Sequence, residues 1–458
     1  MKLKSYIYII ALALASFTAN GQAPHSSYFM ENIPTKHALN PALTPDFNYV
    51  SMPVLGGIQI GLNSNVGLGT FLYPVGNEMV TALNESVSNE EFLGKLRDNN
   101  IIENNIKIGI LSCGFKGIGG YNTIEVSARS VTGIYLPYEL FEFAKIGQLD
   151  APNTTYDIQG INFSSHNFAE IALGHSHKIT DKLTIGAKLK VLVGILSGEA
   201  EIERLNIHMS KDKWVIKENG RTFLTSGLQV QYKENGEIDN FDTGTFGADG
   251  MGFGLDLGVS WKILNNLRLS ASVTDLGFIS WKGAEALVNP DPFEFEGFHH
   301  FGAEKDPVTG ESPLRQETDQ IKEDLKSLIR FENNTDVKSM QKLATTINVG
   351  AEYAILKNKI SFGLLSSTRV GLPHVWTELM ATANFRPVSW FHATINGSVS
   401  NVAQSVGLML NFCPKGFNFF IGSDYIPFKY SKEGIPLDRA KVNLALGMNF
   451  TFNHCKKK

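Results

Sequence analysis

The sequence predicts an all-β fold: an antiparallel transmembrane β-barrel of about 14 strands, with an N-terminal plug segment and long extracellular loops bearing short helices. Three observations predict it. Segments of strict period-two alternation recur along the chain, and the links joining them alternate between short turns and long polar stretches. An export signal also precedes a chain that has no later apolar run long enough for a membrane helix.

The clearest alternating stretch is Met251–Ile279. Met251, Phe253, Leu255, Leu257, Val259 and Trp261 alternate with Gly252, Gly254, Asp256, Gly258, Ser260 and Lys262. Beyond Leu264-Asn265-Asn266, Leu267, Leu269, Ala271 and Val273 alternate with Arg268, Ser270, Ser272 and Thr274. A period of two gives each strand one apolar and one polar face. Each run has about the 9–11 residues that a tilted strand needs to cross a bilayer. The odd-numbered side chains are therefore expected in lipid.

The N-terminus supplies the compartment. Met1-Lys2-Leu3-Lys4 is basic, Tyr6 to Phe17 is apolar, and Ala19-Asn20-Gly21 offers the small residues read by a signal peptidase, so residues 1–21 form a signal peptide with cleavage before Gln22. The 458 residues carry a formal net charge of −4, which gives no reason to expect nucleic acid. Cys113, Cys413 and Cys455 lack metal-ligand spacing, and an odd count is no disulfide framework; a Cys113–Cys413 bridge has no support beyond the arithmetic.

In chain order, residues 22–48 are polar and irregular, and the barrel is expected over 54–455, with a basic periplasmic tail at 456–458. The first strand runs from about Val54 to Asn65, and the polar stretch to Asn104 holds a helix with Met79, Leu83 and Val87 on one face. Ile106, Ile108 and Ile110 mark a second strand; Ile124, Val126 and Ala128 mark a third after a turn at Gly117–Gly120. Residues 133–166 read as a connection with a short helix after Pro137. Ala169, Ile171 and Leu173 form one arm of the next hairpin, which turns at Thr180-Asp181-Lys182 into Ile185, Ala187, Leu189, Val191 and Val193. Residues 197–250 are a polar excursion with strand-like pieces at Trp214–Ile216 and Leu228–Val230. The 282–342 stretch holds 13 acidic and 8 basic residues, so its −5 exceeds the net charge of the whole chain, and it reads as a long acidic extracellular loop with a helix near Gln316–Arg330. Six further alternating runs, led by Ile347, Ile360, Val375, Phe391, Val406 and Phe417, and a last one from Val442 to Phe452, complete the count.

An even strand number with short turns on one side and long loops on the other is the signature of an outer-membrane barrel with periplasmic termini. In hydrocarbon every backbone N–H and C=O must be paired, so strands can span only as a closed barrel. Apolar positions then meet lipid, and Glu125, Arg129, Glu170, Lys188, Lys190, Asp256, Arg268, Glu352 and Glu378 face the lumen, where charges of both signs imply a mutually paired interior. Trp261 and Trp390 are expected at one membrane interface, Trp281 and Trp376 at the other.

Ser27-Tyr28-Phe29-Met30-Glu31, Leu39-Asn40-Pro41-Ala42, Tyr49 to Gly56, Asn63-Ser64-Asn65 and Phe71-Leu72-Tyr73-Pro74 resemble the start of an uncharacterised Bacteroidota outer-membrane β-barrel family (domain of unknown function 5723). More distantly, Asn40-Pro41-Ala42 before the first strand is similar to the motif in the hatch of FadL-type transporters of hydrophobic compounds, fourteen-stranded barrels plugged by their N-terminal segment. The resemblance implies that residues 22–53 lie inside the barrel as a plug, with Asn40, Pro41 and Ala42 in it; a periplasmic tail or a strand cap is the alternative.

No nucleophile with a base in reach and no acidic constellation suggests an enzyme. His175 and His177 share a strand face without a third ligand, His299-His300 reads as solvated, and the glycine-rich Gly250–Gly254 run is followed by no helix, so no metal or cofactor is expected. The reading is a FadL-like channel for uptake of a hydrophobic or amphipathic small molecule, in contact with outer-membrane lipids. The alternative is a non-transporting scaffold, resembling the type IX secretion shuttle barrel, with a periplasmic or surface protein partner.

Overall fold

The computed structural model describes residues 24–76, 78–149, 153–225, 228–232, 238–243, 247–288, 292–295, 329–331, 337–371, 374–401, 403–426 and 439–452. The signal peptide, most of the acidic 282–342 loop, Cys455 and the basic tail lie outside these residues.

The wall consists of fourteen antiparallel strands. These are β1 (Ile58–Gly67), β2 (Asn99–Gly117), β3 (Gly120–Pro137), β4 (Asn153–Lys178), β5 (Leu183–Ser210), β6 (Gly250–Lys262), β7 (Leu267–Val288), β8 (Thr345–Ile355), β9 (Ile360–Val370), β10 (Trp376–Val388), β11 (Phe391–Ser400), β12 (Gln404–Phe412), β13 (Phe417–Ser423) and β14 (Arg439–Phe452). Each pairs with the next, and β14 returns to β1 through Ile58↔Leu446 and Leu62↔Val442, which closes the ring. Closure leaves no unpaired edge, the condition under which strands can lie in lipid. Short turns join the strands at one rim, as at 263–266 and 356–359, and the long connections lie at the other.

The outer face carries the apolar residues of the alternation. Met251, Phe253, Leu257, Leu189, Val349, Leu364, Leu379 and Ile395 are exposed there, while Asp256, Lys188, Asn348 and Thr394 on the other face are buried. No helix among the described residues is long and apolar enough to cross a membrane.

Several expectations shift. The wall begins earlier than Val54: Asn48–Ser51 already pairs with β14 (Val50↔Phe450) and with β2 (Val50↔Cys113). Met52–Gly57 then loops out before β1 resumes at Ile58, leaving Val54 exposed at φ 64°. The boundary between plug and barrel is therefore at Asn48. The helix expected around Met79–Val87 is a hairpin of Leu72–Val75 with Glu78–Thr81, and a short helix lies at Asn89–Leu93 instead. Ser88 caps that helix, its Oγ accepting from the N–H of Glu91. A helix does follow Pro137, at Tyr138–Ile146. The helix near Gln316–Arg330 falls outside the described residues except at its end, where Ile329–Phe331 is a strand paired with β7.

β4 and β5 are 26 and 28 residues long, far beyond the span of a bilayer, so much of 133–166 and 197–250 is strand rather than loop. Trp214–Thr225 extends that sheet, and Leu228–Tyr232 pairs with Ile238–Thr243. Tyr156, Ile158, Ile207 and Met209 form a small core on the projecting sheet, packed by Leu140 and Phe143 of the 138–146 helix. Two hydrogen bonds from Arg204 hold the Asp157 carboxyl there below its ordinary value.

The largest correction is in β7. Between β6 and β7 the register skips from Leu255↔Leu276 to Leu257↔Val273, and Asp275 has φ 59°. This bulge reverses the phase of the strand, since one extra residue sends every following side chain to the opposite face. Beyond it Leu276 and Phe278 are exposed, while Ile279 and Trp281 are 2% and 0% exposed. Odd-numbered residues after Asp275 thus face inward, not lipid. Trp281 and Trp376 are buried rather than interfacial, whereas Trp261 and Trp390 are half exposed beside short turns.

Candidate functional site

Residues 24–47 occupy the lumen as a hatch. The segment starts beside Glu378 and Asp424 near the long-loop ends of β10 and β13, and runs to the short-turn rim, where Asn48 enters the wall. Its short 3-10 helices, His25–Ser27 and Pro34–Ala38, cannot satisfy their own ends, so the wall does much of it. Tyr28, Phe29, Leu39 and Leu43 pack on Leu365 and Met380; Met30 and Ile33 pack on Met409, Phe420 and Ala445. Each such side chain contributes about 1.5–3 kcal/mol on full burial.

The wall makes room with glycines. A Cβ on Gly258 would lie 2.1 Å from Asn40 Oδ1, and one on Gly186 would lie 2.3 Å from the carbonyl carbon of Pro41. On the other side, a Cβ on Gly363 would lie 2.3 Å from Phe29 Cδ2, and one on Gly350 would lie 2.9 Å from Tyr28 Cε1. The Ser27–Glu31 and Asn40–Ala42 segments therefore dock on glycines of β5, β6, β8 and β9. Asn40 is the pin. Its Nδ2 donates to Tyr28 Oη (2.9 Å), Ala271 O (3.2 Å) and Val259 O (3.3 Å), and its Oδ1 accepts from the N–H of Ala42 (2.9 Å). Beside it, the Leu39 carbonyl accepts from Ser272 Oγ (2.6 Å) and Asn348 Nδ2 (3.1 Å).

The lumen-facing charges fall into three groups. The first is a brace across β2–β7. Lys107 lies 2.6 Å from Glu125 and 2.9 Å from Glu170; Arg129 lies 2.9 Å from Glu170 and 2.9 Å from Asp275. Lys190 lies 2.7 Å from Asp256 and 2.6 Å from Asp275, and Lys188 lies 3.5 Å from Glu125. Four cations meet four carboxylates, so the brace is neutral. It touches the hatch where Lys188 Nζ donates to His37 Nδ1 at 2.9 Å. The second group holds Glu352 between Arg386 (2.7 Å) and Arg268 (3.5 Å), and Arg386 also donates to the Phe29 carbonyl of the hatch at 2.9 Å. In the third, Glu378 lies 2.5 Å from His25 and accepts from Ser398. The nine charges singled out in the sequence are distributed over these separate groups.

Lys107, Asp275, Arg386 and Arg369 were not singled out. Lys107 and Arg369 sit on the inward parity of their strands and could have been read from it. Asp275 could not, because the bulge reverses its face.

Above the brace, at the long-loop end, a cavity of about 570 Å³ opens. Phe168, Phe223, Ile279 and Trp281 form its apolar side, and Arg129 and Arg369 lie at its floor. Glu199, Glu201 and Arg221 line its rim; burial raises the carboxyl of Glu199. Between this vestibule and the hatch residues Ala38 and Leu39 a smaller cavity of about 60 Å³ remains. His175 and His177 stack at 5.8 Å, with Asn122 on His175, and no group of three metal-ligating side chains occurs among the described residues. Cys113 and Cys413 are both free thiols.

A family model described as "Family of unknown function (DUF5723)" matches residues 41–424. No curated protein matches the chain. Among solved structures, the chain is similar to the toluene transporter TbuX of Ralstonia pickettii, at 10% identity over 95% of this chain and 100% of that one, with a TM-score of 0.46. It is similar to the toluene transporter TodX of Pseudomonas putida at 8% identity over 95% of each chain, TM-score 0.39. It is also similar to a Pseudomonas aeruginosa FadL homologue at 8% identity over 96% of this chain and 100% of that one, TM-score 0.39.

Proposed function

Since the chain belongs to the DUF5723 family, a family of unknown function, we propose from its own geometry that it is a hatch-closed outer-membrane channel for inward passage of a small amphipathic molecule. In this reading the short-turn rim and the termini face the periplasm, and the long connections face outside. The observation that carries it is the vestibule: a cavity of about 570 Å³ at the outer mouth, standing over a hatch held by hydrogen bonds and packing rather than by strand pairing. A cavity of that volume falls in the range of small-molecule sites, about 300–1,000 Å³. Contacts of this kind can be exchanged for contacts to a ligand, whereas the wall ladder cannot be opened in lipid without stranding backbone groups.

A second reading, a non-transporting scaffold, is favoured by one observation. The brace and the hatch fill the middle of the lumen, where the cavities described are of about 20, 40 and 60 Å³. Native purification from outer membranes, with identification of what co-purifies, separates the two. A bound small molecule or lipid without a stoichiometric protein supports the channel; a stoichiometric protein with an empty vestibule supports the scaffold.

A further inference from the structure

Arg369 stands apart from the other lumen cations. It lies on β9, where Ser367 and Leu365 share its inward face, and it is 6% exposed. Every cation of the brace has a carboxylate within 4 Å, but the Arg369 guanidinium has no ion pair and no hydrogen bond among the described residues. Glu103 feels its charge but lies beyond ion-pair distance; its Oε1 accepts from the Tyr135 hydroxyl, and its buried Oε2 has no hydrogen-bond partner among the described residues. A largely enclosed guanidinium that faces cavities, with no carboxylate at contact distance, favours an anion there.

Its position says where that anion comes from. Arg369 lines the vestibule, the smaller cavity over Ala38 and Leu39, and a third of about 40 Å³ that reaches His25 and Trp376. It therefore stands at the junction between the outer mouth and the hatch. In the vestibule Trp281 is fully buried and its indole N–H has no partner among the described residues, a second donor without an acceptor beside Phe168 and Phe223.

We propose that Arg369 is the anion-recognition residue of this lumen, taking the carboxylate or comparable monoanionic head of a compact molecule whose apolar body lies against Phe168, Phe223 and Trp281. The proposal rests on the channel reading and gives the cargo its chemical class. A planar guanidinium fits a carboxylate with two parallel hydrogen bonds, which an uncharged head cannot match.

The test uses the purified full chain in detergent, with benzoate as probe and benzyl alcohol as its uncharged counterpart, read by calorimetric titration. Benzoate is expected to bind the wild type, to bind Arg369→Gln about tenfold or more weakly, and to be partly retained by Arg369→Lys; benzyl alcohol should bind all three alike. Equal benzoate affinity in wild type and Arg369→Gln overturns the proposal. So does loss of the folded, heat-modifiable barrel in Arg369→Gln, which would make Arg369 a structural partner of Glu103. Benzyl alcohol binding without a preference for benzoate overturns the anion assignment while leaving the channel reading standing. Binding of neither probe overturns the assignment too, and co-purification then decides the channel reading by itself.

Discussion

Arg129 on β3 and Asp275 on β7 meet across three intervening strands, with Nη1 to Oδ1 at 2.9 Å and Nη2 to Oδ2 at 3.0 Å. This two-pronged pair is the longest reach of the brace. It spans the β2–β7 side of the lumen, where the hatch meets the brace through His37 and Lys188. Asp275 also serves Lys190 at 2.6 Å, so like Glu125 and Glu170 it meets two cations.

Asp275→Ala should accordingly cost about 3–5 kcal/mol, the penalty for removing one partner of a buried ion pair. Urea unfolding of the barrel refolded into lipid vesicles measures it. A loss well below that range would mean that Glu170 and Asp256 suffice to neutralise Arg129 and Lys190.

Asn40→Ala removes one side chain that makes four hydrogen bonds and orphans the Ala42 N–H, while Ser270 and Ser272 remain on the Tyr28 hydroxyl. A loss of about 1–3 kcal/mol is expected for each buried group left unpaired. It should be local: limited proteolysis should cut within residues 24–47 while the barrel keeps its heat-modifiable mobility. Resistance equal to wild type would show that the glycine cradle and apolar packing hold the hatch without its pin.

Leu257 is 46% exposed on the outer face of β6, next to Gly258, which faces the hatch. Leu257→Arg should destabilise the barrel by about 2–4 kcal/mol if that face meets the middle of the bilayer. Its effect should shrink in detergent, where the belt is softer. An unchanged stability in thick and thin bilayers alike would count against the lipid-facing assignment.

Glu352→Gln removes the carboxylate shared by Arg386 and Arg268, and Arg386 in turn holds the Phe29 carbonyl. Both ends of this link should weaken together, by less than the roughly 3–5 kcal/mol of a buried cation stripped of every partner, because Arg386 keeps Glu31 at 3.5 Å. Hydrogen exchange at Phe29 and Met30 is the readout. Protection unchanged from wild type would separate the ion pair from the hatch.

The wall was legible in the sequence wherever the bilayer enforced it. Lipid on one side and a polar lumen on the other impose the alternation seen at Met251–Trp261, Ile347–Tyr353 and Val375–Phe385, and those runs became β6, β8 and β10. Outside the bilayer that constraint lapses, so the projecting parts of β4 and β5 carried too weak an alternation to be recognised as strand. Parity failed at Asp275, where a single bulge placed Ile279 and Trp281 inside. The hatch contacts had no local signature. Gly186, Gly258, Gly350 and Gly363 look like ordinary strand glycines until the fold brings Asn40, Pro41 and Phe29 against them. Arg369 shows the remaining gap: its inward face followed from parity, but its lack of a carboxylate partner is a property of three-dimensional neighbours.

Gly258 gives the most direct test of the hatch-closed channel. A valine there drives its side chain into Asn40 and Pro41 without touching the outer face or the brace. Ion conductance in planar bilayers should be near zero for the purified wild type, and Gly258→Val should open stable steps while remaining a folded, heat-modifiable barrel. If Gly258→Val exposes residues 24–47 to protease yet stays as silent as the wild type, the hatch is not the gate and the account of the channel fails.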